Sequence, residues 1–447
     1  MTALAKLSSL EQAYSQAREN FEQIVGYLDS KEASGMTHSE LERELEKKGR
    51  ELMRKLLQEH LNNRGPGQCD PPVEGADGVV RSRMRLQQRE LETVFGTVSV
   101  ERAGYGQQGV ESLHPLDAEL NLPDERYSLE LRRRVAEEAA KSSFDETLEN
   151  ISKNTGGHVP KRQVEELVMR AAQDFDAFYQ RRQALAGDGQ GAGSILAVSV
   201  DGKGVTMRPQ DLREQTRKAA AARVHKMGTR LSKGEKKNAK RMATVAAVYT
   251  IAPFVRTPEE LIGDSSFPRP GPPRPRPEQK RVWASLEKTP EEVIKELLVE
   301  ARYRDPNDEK SWVALVDGNK GQLRILKRLS KKNGLDLTII VDLIHVIEYL
   351  WDAARVFFPD PGAQLENWVR YRLLEILRGK AGLMAGGMRR SATLRGLSAK
   401  AREPVDVCAR YLSNHSAYLR YDRYLAKGLP VATGVIEGAC RHLVKDR

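Results

Sequence analysis

The chain has 447 residues and is 39% hydrophobic, 30% charged and 6% aromatic, so two to four domains with buried cores are expected and disorder throughout is excluded. The longest uncharged apolar run, residues 244–255, is shorter than the ~18 residues that a membrane helix needs, and the N-terminus has no signal-peptide core. The formal net charge of +11 favours an anionic partner such as nucleic acid. We therefore expect a cytoplasmic protein without membrane contact.

The first 63 residues predict a helical N-terminal arm of two amphipathic helices. In the second, from Ser39 to Leu61, leucines recur among alternating charges. Such an arm is suited to dimerisation, and we expect a homo-oligomer. Residues 64–127 predict a linker rich in Gly and Pro and then a small β element, because the alternation on both sides of Gly96 is typical of a hairpin.

Residues 128–186 predict a helix-turn-helix region that reads DNA. Ser143 and Glu146 form a capping box at the start of its second helix, which we expect to end in a left-handed conformation at Gly156 and Gly157. The helix that follows would present its N-terminal residues to DNA. These residues are Lys161, Arg162 and Gln163. An ordinary helical hairpin explains the same pattern equally well.

From residue 194 to 447 the pattern changes to short apolar strands separated by helices, which is typical of an α/β domain. The predicted strands are Ser194–Val200, Ala243–Ile251, Trp312–Val316 and Leu337–Val341. Three of these strands end on an aspartate. The proline-rich segment 267–277 predicts an exposed polyproline-like excursion, and the sequence after residue 342 predicts helices almost to its end.

Acidic residues of this domain indicate phosphodiester chemistry. Asp201 and Asp317 each follow an apolar strand, at the end of the strand where α/β sheets bind ligands, and Glu437 lies on a predicted helix. Enzymes that cut polynucleotides use carboxylates to hold two Mg²⁺ ions, for which Mn²⁺ can substitute. Taken singly, each aspartate is more often a turn or helix-cap residue.

Most of the net positive charge lies in one segment, residues 213–241, which has eleven Lys and Arg residues against two acidic ones. We expect a helix and a loop inserted between the first two strands. Its position beside a phosphodiester site favours contact with the DNA backbone over a merely solvated face. The predicted DNA-binding residues of this segment are Lys226, Arg230, Lys233, Lys236, Lys237, Lys240 and Arg241.

Four sequence blocks together resemble a known family. They are VSVDGKG, ARYRDPNDEKSWVALVDGNKGQ, IIVDLIHVIEYLWDAA and TGVIEGACRHLVKDR. They look like the conserved blocks of bacterial insertion-sequence transposases of the ISKra type, relatives of the Mutator-like DDE transposases, over roughly residues 81–447. The resemblance implies an RNase H-like catalytic core with a helical insertion at about 360–430. It also implies Mg²⁺-dependent cleavage and strand transfer at transposon ends, by a bacterial protein that associates with the nucleoid when it binds double-stranded DNA.

Matched position by position, the resemblance implies that the DDE triad falls on Asp201, Asp317 and Glu437. The D-x-x-H signature of the Mutator-like relatives falls on Asp342 and His345. These two residues are three apart at a predicted helix start, so Asp342 either orients His345 near the scissile phosphate or caps its own helix. A purely structural histidine is equally consistent with the sequence.

Three further basic residues are expected at the same site. Lys203 and Lys320 follow the two aspartates closely, and Arg441 lies four residues after Glu437. On one helix face, Arg441 would either contact phosphate or pair with Glu437.

Two features depart from the family pattern. The stretch after Tyr105 lacks the cysteines of a zinc knuckle that relatives often have there, and we predict no zinc; the chain's only cysteines, Cys69, Cys408 and Cys440, are expected to be reduced. The chain also stops ten residues after Glu437, so we expect its helix to be poorly held and cleavage to be weak. The alternatives are therefore an inactive, C-terminally truncated DNA-binding remnant and a stand-alone nuclease.

Overall fold

The computed structural model describes residues 13–184, 193–222, 239–263 and 273–445. The chain divides into two compact units, residues 1–175 and 176–447. The first unit contains the predicted arm, the β element and most of the predicted helix-turn-helix region, and the second contains the predicted catalytic domain. Helices and strands are both abundant, so the mixed α/β class is confirmed.

The first unit combines helices with small antiparallel sheets. Its helices are α1 (Ser15–Leu28), α2 (Lys31–Ser34), α3 (His38–Arg64), α4 (Pro115–Glu119), α5 (Leu129–Lys141), α6 (Phe144–Asn154) and α7 (Lys161–Ala171). Its strands are β1 (Val73–Glu74), β2 (Val80–Arg81), β3 (Arg83–Thr93), β4 (Gly96–Gln107) and β5 (Val110–Leu113). The N-terminal residues form three helices rather than the predicted two, and the buried Glu59 of α3 accepts hydrogen bonds from the backbone of α1 at Gln16 and Ala17.

The predicted β-hairpin is also confirmed. β3 and β4 pair in antiparallel fashion from Arg83 opposite Gly106 to Thr93 opposite Gly96, and β5 adds a third strand. Gly96 has a φ of 122°, a conformation that favours glycine at this turn.

Helices α5, α6 and α7 share one small core, and the capping box of Ser143 and Glu146 starts α6 as predicted. The predicted left-handed end of α6 is wrong, because α6 ends at Asn154 and neither Gly156 nor Gly157 has a positive φ. Glycine is needed there for close approach instead: a Cβ on Gly156 would lie 2.4 Å from the carbonyl oxygen of Phe95 in the β3–β4 turn.

The second unit contains one sheet and a series of helices. Its helices are α8 (Phe175–Ala184, whose first residue belongs to the first unit), α9 (Glu214–Ala221), α10 (Pro258–Ile262), α11 (Pro290–Arg304), α12 (Lys320–Lys332), α13 (Leu343–Phe357), α14 (Ala363–Leu377), α15 (Ala381–Leu394), α16 (Ala399–Asn414), α17 (Tyr421–Ala426) and α18 (Gly434–Cys440). Its strands are β6 (Ile195–Thr206), β7 (Lys240–Ile251), β8 (Glu278–Ser285), β9 (Ser311–Val316) and β10 (Leu337–Val341).

The five-stranded sheet has the order β10-β9-β6-β7-β8. β6, β7 and β8 form an antiparallel meander, whereas β9 and β10 run parallel to β6. α11 and α12 pack on one face of the sheet. α13, α16 and α18 pack on the other face, which we call the site face.

Two sequence predictions change in this unit, and a third is confirmed. β6 does not end on Asp201 but continues to Thr206, because its pairing with β7 outlasts its pairing with β9. The edge strand β8 was missed. Its large apolar residues are only Val282 and Trp283, which are adjacent, so the sequence shows no alternation of apolar and polar residues there. The predicted helices after residue 342 are confirmed as α13 to α18.

Among the described helices, none has the length and apolar character to cross a membrane.

Candidate active site

Three aspartates form a row at the carboxyl end of the parallel strands. Val316 of β9 pairs with Val200 of β6 on one side and with Val341 of β10 on the other. The next residues on these three chain segments are Asp201, Asp317 and Asp342. Side chains in one register row of parallel strands project to the same side of the sheet. The three carboxylates therefore all project from the site face.

Asp201 and Asp317 are partly buried and repel each other. Burial raises the pKa of Asp317, and the negative charge of Asp201 raises it further, although the backbone N–H of Asn319 donates to Asp317 Oδ1 at 2.8 Å and opposes the shift. In the described part of the chain, neither aspartate forms an ion pair. Two adjacent carboxylates that repel each other are a favourable site for a divalent metal ion.

The second oxygen of Asp201 faces a buried thiol. Cys440 Sγ lies 3.4 Å from Asp201 Oδ2, while the backbone N–H of Gly202 donates to Asp201 Oδ1 at 2.6 Å. Burial and then the charge of Asp201 raise the pKa of Cys440 to about 12. The thiol is therefore protonated at neutral pH and donates to the carboxylate. All three cysteines of the chain are free.

Glu437 lies on α18, which packs on the site face beside Asp201. Buried Ile436, Ala439 and Cys440 contact Val245 and Ala247 of β7, and Val245 is the cross-strand partner of Asp201. The expectation that this helix is poorly held was wrong, because the sequence argument did not count Ala439 and Cys440 as core residues. Glu437 itself lies on the outer side of this helix, with only part of its surface covered.

Electrostatic coupling links Glu437 to the row of aspartates. Partial burial of its carboxylate raises the pKa of Glu437, and the charges of Asp342 and Asp201 raise it further, whereas His345 lowers it. Asp201 therefore lies within electrostatic reach of both Asp317 and Glu437, the other two residues on which the sequence argument placed the acidic triad.

Asp342 has a structural role of its own. It is fully buried, caps α13 by accepting from the backbone N–H of Ile344 at 3.0 Å, and accepts a second hydrogen bond from the hydroxyl of Thr433. Thr433 immediately precedes α18. Of the two roles that the sequence left open, capping is the one observed, and it also ties the start of α13 to the helix that carries Glu437.

His345 lies on the first turn of α13 and pairs with Glu348, its Nδ1 lying 3.0 Å from Glu348 Oε2. Burial alone would lower the pKa of His345, but the hydrogen bond with Glu348 and the charges of Asp342 and Asp317 raise it above its ordinary value of 6.5. An imidazole between acidic groups is suited to carry a positive charge near a phosphate.

The RDP-tryptophan block that supports the family resemblance has a structural explanation. The buried carboxylate of Asp305 accepts hydrogen bonds from the backbone N–H groups of Glu309 and Lys310 and, at 2.7 Å, from the indole N–H of Trp312. Asp305 thus closes the loop between α11 and β9, the strand that leads to Asp317.

The predicted DNA-binding residues of the second unit divide into four groups. Lys226, Arg230, Lys233, Lys236 and Lys237 lie outside the described residues. Lys203 projects from β6 to the same face as Asp201, two residues away. Three of the predicted residues, Lys240, Lys320 and Arg441, are exposed. Arg241 forms an ion pair with Glu287 at 2.8 Å.

In the first unit, the predicted reading residues lie at the start of α7. Lys161 pairs with Asp145, and Arg162 and Gln163 bond to Glu166. Six residues, 155–160, join α6 to α7, which is longer than the three- or four-residue turn typical of a helix-turn-helix.

The carboxylates of Asp201, Asp317 and Glu437 are chemically suited to bind Mg²⁺, but they are too far apart in this structure to bind one ion together. Carboxylate oxygens are the ligands that Mg²⁺ prefers, and a cation would relieve the repulsion that raises the pKa of Asp317. In the part of the chain that the structure describes, however, no three His, Cys, Asp or Glu side chains are gathered closely enough to hold a metal ion. A cation would therefore have to draw these side chains together.

Sequence reasoning missed four residues that contact the site segments. Thr433 and Cys440 lie within one turn of Glu437, so helical periodicity around Glu437 would have found them. Tyr411 and His415, which contact the backbone at Asp317 and Gly318, are almost a hundred residues away in the sequence, and no local pattern reveals them. No protein-family model and no curated protein matches this chain.

Proposed function

We propose that this protein is a DDE-type DNA transposase with an RNase H-like catalytic core. The observation that carries the proposal is that Asp201, Asp317 and the helix bearing Glu437 all lie on the site face of the sheet. The strand order supports it as well: numbered along the chain, the five strands lie in the order 3-2-1-4-5, with three antiparallel strands followed by two that run parallel to the first.

Asp201, Asp317 and Glu437 are the residues that would hold two Mg²⁺ or Mn²⁺ ions. When bound, such ions activate the attacking oxygen and stabilise the leaving oxygen in phosphodiester cleavage and strand transfer. His345, whose pKa is raised by Glu348, Asp342 and Asp317, is placed to take up a proton beside the carboxylates. Asp342 holds α13 and α18 in place around them.

A row of cations on α12 supports DNA as the substrate. Lys320, Arg324, Lys327 and Lys331 recur at intervals of four, three and four residues, so they share one helix face over about 16 Å. All four are exposed, and none forms an ion pair within the described part of the chain. We call this row the α12 stripe. It starts three residues after Asp317 and is suited to neutralise phosphates of DNA bound at the site.

The first unit is the candidate for recognition of the transposon ends. Lys161 and Arg162 are exposed at the N-terminal end of α7, and their ion pairs are at the surface. Surface ion pairs contribute little to stability, so DNA phosphates can replace the acidic partners.

The test is cleavage of DNA that carries the inverted repeats flanking the gene, compared with a scrambled sequence, in the presence and absence of Mg²⁺. We expect cleavage that requires Mg²⁺ and the repeats and that is lost in Asp201→Asn. Binding without cleavage would support the DNA-binding remnant, and cleavage of both DNAs would support a stand-alone nuclease. Cleavage that persists in Asp201→Asn would contradict the assignment of the triad.

A further inference from the structure

Two side chains at the end of α16, those of Tyr411 and of His415, which directly follows the helix, contact the backbone of the turn that follows Asp317. The hydroxyl of Tyr411 donates to the carbonyl oxygen of Asp317 at 2.8 Å. Nε2 of His415 lies 2.9 Å from the carbonyl oxygen of the next residue, Gly318. Tyr411 and His415 are one helical turn apart and their rings are in contact, with centroids 4.4 Å apart. Two consecutive carbonyl groups are therefore held by one pair of rings.

The turn is shaped to receive this pair. Gly318 has a φ of 88°, which favours glycine, and a Cβ at that position would lie 3.1 Å from both the Tyr411 hydroxyl and His415 Nε2. Glycine at position 318 thus permits both the turn and the close contact. The glycine that follows Asp317 in the sequence is explained by α16 rather than by the turn alone.

The pair is itself held in place. His415 is buried, and its Nδ1 lies 2.8 Å from the carbonyl oxygen of Tyr411. A neutral imidazole has one N–H and donates to one of its two carbonyl partners, whereas an imidazolium donates to both. Burial raises the pKa of Tyr411, so its hydroxyl stays protonated and remains a donor. Tyr349 of α13 also packs against the Tyr411 ring, with centroids 4.2 Å apart.

The carboxylate of Asp317 has little other support. Its one described hydrogen bond comes from Asn319 in its own turn, and the residue lies just beyond the last pair of the sheet ladder. The direction of its side chain therefore depends on the backbone of the turn. Fixing the carbonyl groups at 317 and 318 fixes that backbone.

We propose that Tyr411 and His415 are positioning residues that hold the turn from which Asp317 presents its carboxylate to a divalent cation. The role in cation binding rests on the proposed function, whereas the role in holding the turn does not. Functional carboxylates need to be held within about 0.5 Å of the productive geometry by their supporting residues. Tyr411 and His415 supply this support from a helix almost a hundred residues away in the sequence.

The experiment measures Mn²⁺ binding by electron paramagnetic resonance on the full chain. Tyr411→Phe keeps the ring and removes the hydroxyl, and we expect Mn²⁺ affinity to fall about 3- to 10-fold, the effect of one lost hydrogen bond. His415→Gln should lower affinity similarly, and excess Mn²⁺ should restore occupancy. Tyr418→Phe is the matched control, since its hydroxyl makes no hydrogen bond among the described residues, and should bind as the wild type does. Unchanged affinity in both Tyr411→Phe and His415→Gln would overturn the proposal.

Hydrogen exchange of the metal-free chain separates this proposal from the proposed function. We expect amide exchange in residues 317–321 to be at least about threefold faster in Tyr411→Phe, with exchange in β9 unchanged. If the wild type and Asp317→Asn bind Mn²⁺ equally weakly, Asp317 is not a metal ligand and the proposed function fails. Faster amide exchange in Tyr411→Phe would still support the positioning of the turn. Unchanged amide exchange in both Tyr411→Phe and His415→Gln would contradict the positioning of the turn, whatever the Mn²⁺ measurements show.

Discussion

Two neighbouring strand–turn–helix segments, β9–α12 and β10–α13, place an aspartate at the same level of the sheet but use it differently. Asp342 is fully buried, and both of its oxygens accept hydrogen bonds. Asp317 is only partly buried, has a raised pKa and keeps one oxygen without a described partner. The burial and hydrogen bonding of each carboxylate therefore separate a structural cap from a candidate ligand, although the sequence context of the two is alike.

The helices that follow the two aspartates, α12 and α13, also differ in how much of their surface is buried. α12 carries the row of exposed cations and packs through one apolar face, whereas α13 is mostly apolar and buries both Val346 and Leu350 in the core of the site face. The first segment is suited to bind phosphate and metal, and the second to hold the fold around them.

The largest effect is expected for Asp317 itself. Asp317→Asn keeps the hydrogen bond with Asn319 but weakens metal binding, so cleavage of terminal-repeat DNA should fall roughly 10³-fold or more. Asp336→Asn is the control, because this exposed aspartate precedes β10 and lies away from the row. Cleavage by Asp317→Asn at a tenth of the wild-type rate would remove Asp317 from the metal site.

The α12 stripe should account for a part of the salt dependence of DNA binding. Replacing Lys320, Arg324 and Lys331 with Gln should reduce the slope of log affinity against log salt by about 0.9 for each lost phosphate contact, as measured by fluorescence anisotropy. Arg328→Gln is the comparison on the same helix: Glu291 already offsets the charge of Arg328, so this single change should reduce the slope by less than one full phosphate contact. Equal slopes for the triple variant and the wild type would show that the stripe is only a solvated face.

Asp342 should matter mainly for stability. Asp342→Ala removes the cap of α13 and leaves the buried Thr433 hydroxyl without an acceptor, so the free energy of unfolding should fall by about 2 kcal/mol in urea denaturation. Asp352→Ala on the same helix removes only a surface pair with Arg355 and should cost less than about 0.5 kcal/mol. If Asp342→Asn, which keeps the cap, loses cleavage as completely as Asp317→Asn does, Asp342 is catalytic and the contrast between the two segments fails.

The smallest expected effect is a gain in stability from neutralising Asp317. A raised pKa in the folded state means that the bound proton stabilises the native chain below the ordinary pKa of 3.8, and that this stabilisation is lost as the pH rises through the raised value. In EDTA at pH 7, Asp317→Asn should therefore melt about 2 °C higher than the wild type. The gain should vanish near pH 3. A lower melting temperature at pH 7 would show that the charged carboxylate is stabilising.

Local patterns in the sequence were sufficient for much of the fold. The apolar runs ending near Asp317 and Asp342 predicted β9 and β10, and the capping box at Ser143 predicted the start of α6. The continuation of β6 beyond Asp201 was not predictable from apolar runs, since residues 202–206 are mostly polar or glycine and are held by pairing with β7.

The site was predictable only in part, because its geometry also depends on contacts between residues that are distant in the sequence. Strand-end position and the family resemblance selected Asp201, Asp317 and Glu437, but they did not distinguish a cap from a ligand at Asp342. That distinction depends on Thr433, which reaches Asp342 from 91 residues away in the chain. The support of Asp317 by Tyr411 is likewise a tertiary contact, and neither carries a signal in the local sequence.

The most direct test of the central claim is a crystal structure of the protein with Mn²⁺ and terminal-repeat DNA, with data collected at the manganese absorption edge. The account predicts anomalous peaks about 2.1 Å from carboxylate oxygens of Asp201 and Asp317, with Glu437 drawn towards them and Asp342 still bonded to Thr433. DNA bound at the site face without an anomalous peak at these carboxylates, or with Mn²⁺ held by other residues, would contradict it.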